Sequence, residues 1–250
     1  MIKLEICAGS VASCIAAQEG GAHRIELCDN LLEGGTTPSY ATIVLARQRV
    51  EIDLYPIIRP RGGDFLYDDL EFAIMEKDLA LCKKIGCNGI VIGLLTADGK
   101  VDVPRTRQLV DQAWPMGVTF HRAFDMTENP LQALKDIIDT GCERILTSGQ
   151  RNTAPEGTDL LKKLVELAEG QIIIMPGSGV RANNIEMLVK ETGATEFHTT
   201  ARSYVESGMI YRNPHVSMGG IPGVPEYGIS LTQAEDVKLI LELAQQAAVK

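Results

Sequence analysis

Along the chain, eight short runs of β-branched and apolar residues alternate with stretches whose apolar positions recur at helical spacing. The runs close at Glu5-Ile6-Cys7, Glu26-Leu27-Cys28, Arg59-Pro60-Arg61, Gly93, Thr119-Phe120-His121-Arg122, Thr147-Ser148-Gly149, Pro176-Gly177-Ser178-Gly179 and Glu196-Phe197-His198. Eight strand–helix units in 250 residues predict a (β/α)8 barrel of the TIM type, an α/β fold in which the C-terminal strand ends form one mouth. Active sites of such barrels lie at that mouth.

Four segments, starting at Gly21, Gly86, Gly141 and Gly193, share the pattern of a glycine followed by a short turn into an even-numbered strand. A glycine that stops a helix before a strand is the expected chemistry of such a loop, and its recurrence suggests quarter-barrel symmetry. A doubly wound open sheet is the alternative, but no switch point marks one. No linker or low-complexity tract interrupts residues 1–250, so a single domain is expected, ending in a helix over 231–248. The segment 203–230, rich in Gly and Pro, breaks the rhythm and reads as a long loop: a lid, a binding loop or an oligomer contact.

Composition changes this picture only by exclusion. A hydrophobic share of 45% supplies a sizeable core, and no apolar run reaches membrane-spanning length. The start reads directly as a strand, not a secretory signal, so a cytoplasmic location is expected. A net charge of −9 argues against nucleic-acid or anionic-membrane partners. The six cysteines are scattered, which suits reduced thiols better than a disulfide framework.

Candidate chemistry gathers at the strand ends. Side chains alternate across a strand, so Glu5 shares a face with Cys7, and Glu26 with Cys28, looking into the barrel. Interior carboxylates need partners, and Arg59 or Arg61 could serve as structural ones. Otherwise Glu5, Glu26 and His121 are candidate acid–base groups. Cys7 and Cys28, on adjacent strands, could share a soft ion such as Cu(I), or be small core hydrophobes. Arg59, Arg61, Thr147, Ser148 and the Gly177-Ser178-Gly179 turn form a candidate anion-binding set, with Asp64, Arg122, Asp125 and His198 as further mouth residues.

Taken together, Glu-Ile-Cys, Arg-Ile-Glu-Leu-Cys, Gly-Gly-Thr-Thr-Pro-Ser, Ile-Arg-Pro-Arg-Gly-Gly-Asp-Phe-Leu-Tyr, Thr-Phe-His-Arg-Ala-Phe-Asp, Ile-Leu-Thr-Ser-Gly and Gly-Ser-Gly-Val, in order over residues 2 to 202, resemble the CutC family. The resemblance implies a TIM barrel, a cytoplasmic dimer or tetramer, a role in copper homeostasis, and Cu(I) binding through Cys7 and Cys28. Two expectations stand side by side. One is a copper-binding protein; the other is an enzyme acting on a small anionic, phosphorylated substrate gripped by Arg59, Arg61 and the glycine turn.

Overall fold

Each predicted strand forms, because its apolar residues alternate between two buried environments. In the computed structural model, which describes residues 1–218 and 224–249, the chain runs β1 (Lys3–Ala8), α1 (Val11–Glu19), β2 (Arg24–Leu27), α2 (Tyr40–Arg49), β3 (Asp53–Pro56) and α3 (Asp69–Ile85). It continues through β4 (Gly89–Ile92), α4 (Val103–Ala113), β5 (Gly117–Phe120), α5 (Pro130–Thr140), β6 (Arg144–Thr147) and α6 (Thr158–Ala168). The last elements are β7 (Ile173–Pro176), α7 (Ile185–Thr192), β8 (Glu196–Thr199), β9 (Arg202–Glu206), β10 (Gly228–Thr232) and α8 (Ala234–Val249). Among the described residues no helix is long and apolar enough to cross a membrane.

The parallel strands form two four-stranded arcs, β3-β2-β1-β8 and β4-β5-β6-β7. At one seam Ile57 bridges Val91, and the Ile58 N–H donates to the Val91 carbonyl at 2.8 Å. At the other seam β7 packs beside β8, where a Cβ on Gly177 would lie 3.1 Å from His198 Cβ. The strand order is that of an eight-stranded TIM barrel. The four repeat glycines all take the left-handed conformation at φ of 70–88°, which ends each preceding helix at little steric cost.

Two separate cores follow from the strand alternation. Leu4, Ile6, Ile25, Leu27, Ile90, Phe120 and Phe197 face the helices within one continuous apolar layer. Cys7, Cys28, Tyr55, Ile57 and Val91 form a second cluster inside the barrel. Tyr55 crosses that interior, with its hydroxyl donating to Glu143 at 2.8 Å, and its ring occupies the space where side chains on Gly89 and Gly117 would stand. Gly89→Val should therefore cost about 1–3 kcal/mol by overpacking. The check is the urea midpoint, with Gly208→Val, where nothing crowds the added carbon, as the neutral control.

The segment expected to lack structure over 203–230 is built differently. Its ends pair as an antiparallel ribbon, β9 against β10, with Arg202 opposite Thr232 and Glu206 opposite Gly228. Every residue of β9 is exposed and only Thr232 of β10 is buried, so the ribbon is held by its backbone ladder rather than by a packed face. Residues 219–223 of that segment, and Lys250, lie outside the described residues.

Candidate functional site

Parallel register sets the site from the bottom of the barrel upward. Glu5 on β1 stands opposite Arg24 on β2 and His198 on β8, while Cys7 stands opposite Glu26. Arg24 donates through Nε to Glu5 and through Nη2 to Glu196 (2.7 Å). Arg144 on β6 donates to the same Glu196 oxygen at 2.7 Å and to Glu143 at 2.7 Å. The lower interior is thus a closed ionic layer, which Tyr55 covers with its ring under both guanidinium groups.

This layer corrects the expected pairing. Arg59 and Arg61 are not the partners of the interior carboxylates; Arg24 and Arg144 are. Arg24 has the same parity as Glu26 and Cys28, so its inward direction was readable. Its partner was not, because register between strands separated by a whole helix is a tertiary property.

Glu5, 1% exposed, does not reach the cavity at the mouth and acts as a support. Burial alone would raise its carboxyl, but Arg24 and the His198 hydrogen bond hold it well below the carboxylate range. It accepts from His198 Nδ1 at 2.7 Å, which leaves His198 Nε2 facing Glu26 at 3.7 Å and the Cys7 sulfur beside it. Ligand atoms of Cys7, Glu26 and His198 all lie within 4.8 Å of one another, and Cys28 Sγ is 3.7 Å from Cys7 Sγ.

Protonation within the cluster is uneven. The hydrogen bond it shares with Cys28 pulls the Cys7 thiol well below its ordinary value, against burial and with help from His198. Cys28 is pushed up by the same bond and by burial. Burial and the Cys7 charge raise Glu26, which favours its neutral form. For His198, burial would lower the imidazole, but hydrogen bonds with Cys7 and Glu5 carry it well above 6.5. The shifts run toward a thiolate at Cys7 and an imidazolium at His198, with Glu5 bonded beneath the ring.

His121 is elsewhere on the wall and does other work. Its Nδ1 accepts from the Ala123 N–H at 3.1 Å, capping the short turn Arg122–Met126, so its proton sits on Nε2. Burial, reinforced by Arg59, lowers its pKa to about 3. The acid–base role expected of it near neutral pH does not fit an imidazole held neutral.

Most of the expected anion set is committed internally. Arg61 pairs with Glu71 (2.5 Å) and Asp64 (3.0 Å) outside the cavity. Thr147 and Ser148 donate their hydroxyls to Asp125 at 2.5 and 2.9 Å, and Arg122 donates to the same carboxylate at 2.7 Å. Asp125 is therefore the clasp of the β6 loop. Gly177 packs under His198, while Ser178 donates to the Asn152 carbonyl at 2.7 Å and, with Gly179, lines the mouth. The mouth encloses about 950 Å³ and is lined by Cys7, Glu26 and His198 from β1, β2 and β8, and by Arg59 and His121 at the ends of β3 and β5. Ser203, Tyr204 and Ser230 of the ribbon form part of its rim.

A sequence model of the CutC family matches residues 2–203. A family protein CutC of Chromobacterium violaceum is 57% identical over 98% of both chains. The human copper homeostasis protein cutC homolog is 44% identical, covering 98% of this chain and 90% of its own. The solved CutC structure from Streptococcus agalactiae superposes with a TM-score of 0.76 at 36% identity, covering 80% of this chain and 99% of that one. A thiamine phosphate pyrophosphorylase from Pyrococcus furiosus shares the fold alone, with a TM-score of 0.62 at 13% identity over 98% of this chain and 96% of that one.

Proposed function

The chain belongs to the CutC family, and on that premise we propose that it serves copper homeostasis by holding one Cu(I) ion among Cys7, Cys28 and His198. The observation that carries this reading is the 3.7 Å approach of the two sulfurs beside an imidazole whose other nitrogen is already bound to Glu5. A histidine ligand oriented by a carboxylate is a recurring feature of protein metal sites, because the carboxylate fixes the ring and raises its basicity. Two thiol sulfurs and a nitrogen make a soft donor set that suits Cu(I). Glu26 is the one hard oxygen of the cluster; burial favours its neutral form, which suits a hydrogen bond to the Cys7 sulfur better than ligation.

Cytoplasmic location and a homo-oligomeric state, dimer or tetramer, belong to the same reading. Cu(I) is the cargo here, so the chain needs an open route to the sulfurs, and the mouth supplies one. The test is a competition titration of the reduced protein against a Cu(I) chelator, with Zn(II) in parallel. Saturation at one Cu(I) per chain, with Zn(II) far weaker, is the expected result. Zn(II) outcompeting Cu(I), or no saturable Cu(I) binding, would sink the assignment.

A further inference from the structure

Copper leaves the residues at the ends of β3 and β5 unexplained. Arg24, Arg59 and Arg144 are the deeply buried arginines among the described residues, and Arg59 alone of them has no carboxylate partner. Its Nη1 donates to the carbonyls of Glu33 (2.8 Å) and Gly35 (2.7 Å), and its Nη2 to that of Gly63 (2.8 Å). Those acceptors are neutral, and the Glu33 carboxylate is turned to Asn30 at 2.8 Å. At 4% exposure, the guanidinium is a buried charge without a counter-ion, a state that costs several kcal/mol unless something compensates it.

Two N–H groups here are also incomplete, one of them its own. Arg59 Nε has no hydrogen-bond acceptor, and neither does His121 Nε2, which carries the imidazole proton. Both residues pack on Phe65: the guanidinium carbon lies 5.1 Å from that ring's centre and the imidazole centre 5.0 Å from it. On the barrel wall they are separated by the end of β4, where Gly93 has no side chain and the His121 ring fills the space instead. Unpaired buried donors are rare in folded proteins and call for an acceptor.

We propose that Arg59 and His121 form a subsite for the oxyanion, carboxylate or phosphate, of a small organic molecule that enters the barrel mouth at the ends of β3 and β5. An oxyanion offers acceptors to both orphan N–H groups and also neutralises the guanidinium; a water would satisfy the donors and leave the charge. Both nitrogens are shielded from solvent, so Phe65, the half-buried residue packed on both, is the cover that turns aside as the ligand seats. The cavity, at about 950 Å³, has the room a bare ion does not need. Arg59 belongs to the anion set read from the sequence, but its partner here is His121 rather than Arg61, Thr147, Ser148 or the glycine turn after β7.

The test uses the full-length, metal-free protein, so it stands or falls separately from copper binding. Calorimetric titrations with inorganic phosphate, acetate and chloride at constant ionic strength should show saturable binding of an oxyanion and none of chloride. Preference for phosphate identifies a phosphorylated ligand, and preference for acetate a carboxylate. His121→Gln and Arg59→Lys should each weaken binding about tenfold or more, the loss of a hydrogen bond involving a charged partner. His121→Gln decides the matter if Arg59→Lys does not fold. Binding that chloride matches, or that His121→Gln leaves unchanged, would overturn the proposal, as would a phosphate-soaked crystal holding only water at the two nitrogens.

Discussion

Arg24→Met is expected to lower the stability of the protein by about 3–5 kcal/mol, the usual penalty for removing one partner from a buried ionic network. Arg24 holds Glu5 and Glu196 together, and no other described guanidinium reaches Glu5 by a hydrogen bond. Without it, Glu5 stays buried with only the His198 hydrogen bond. Burial then loses its strongest opponent, and the Glu5 carboxyl titrates at higher pH than in the parent.

The pH dependence follows from the sign of these shifts. Glu5 and Glu196 are held below their ordinary values in the folded chain, so their contribution is complete above the normal carboxylate range. It is lost as pH falls below that range, because the unfolded chain takes up protons there and the folded chain does not. In Arg24→Met the folded chain protonates too, so the gap between parent and variant should narrow with acidification. Urea unfolding at pH 7 and at pH 4 measures both. An unchanged midpoint at pH 7 would show that Tyr55 and Arg144 carry the layer alone.

Cys7→Ser should reduce Cu(I) affinity by more than the roughly 10–100-fold expected when only a ligand's hydrogen-bond partner is lost. Serine keeps the size of the side chain and removes the soft donor. Cys28→Ser should follow it closely, and Glu5→Gln should fall within that 10–100-fold range by releasing the His198 ring. Cu(I) loading should also release protons, since Cys28 is a thiol and His198 an imidazolium before binding. Affinity should accordingly rise with pH through neutrality. A chelator competition series at several pH values tests all of this. Equal affinities for the parent and both serine variants would remove the cysteines from the site.

The glycine punctuation and the inward pairs Glu5–Cys7 and Glu26–Cys28 could be read from residues a few positions apart, because strand alternation and helix-stopping glycines are local properties. The eight-unit rhythm rests on the same local rules. Individual roles were harder to read. His121 looked like a proton carrier from its charged neighbours, yet its own turn uses Nδ1 and burial keeps it neutral. Arg61 looked equivalent to Arg59, but two residues further along the chain it meets Glu71 and Asp64 outside the cavity.

By itself, then, the amino-acid sequence determined the fold class, the direction in which the glutamates and cysteines point, and the end of the barrel where chemistry gathers. Tertiary structure decided who meets whom. Placing β8 against β1 brings His198 to Glu5 across 193 residues, and the β1–β2 register sets Arg24 beside Glu5 and Glu26 beside Cys7. The reason is physical: side-chain direction has a period of two residues and is written locally. The choice of partner depends on register and closure, which exist only once all the strands are in place.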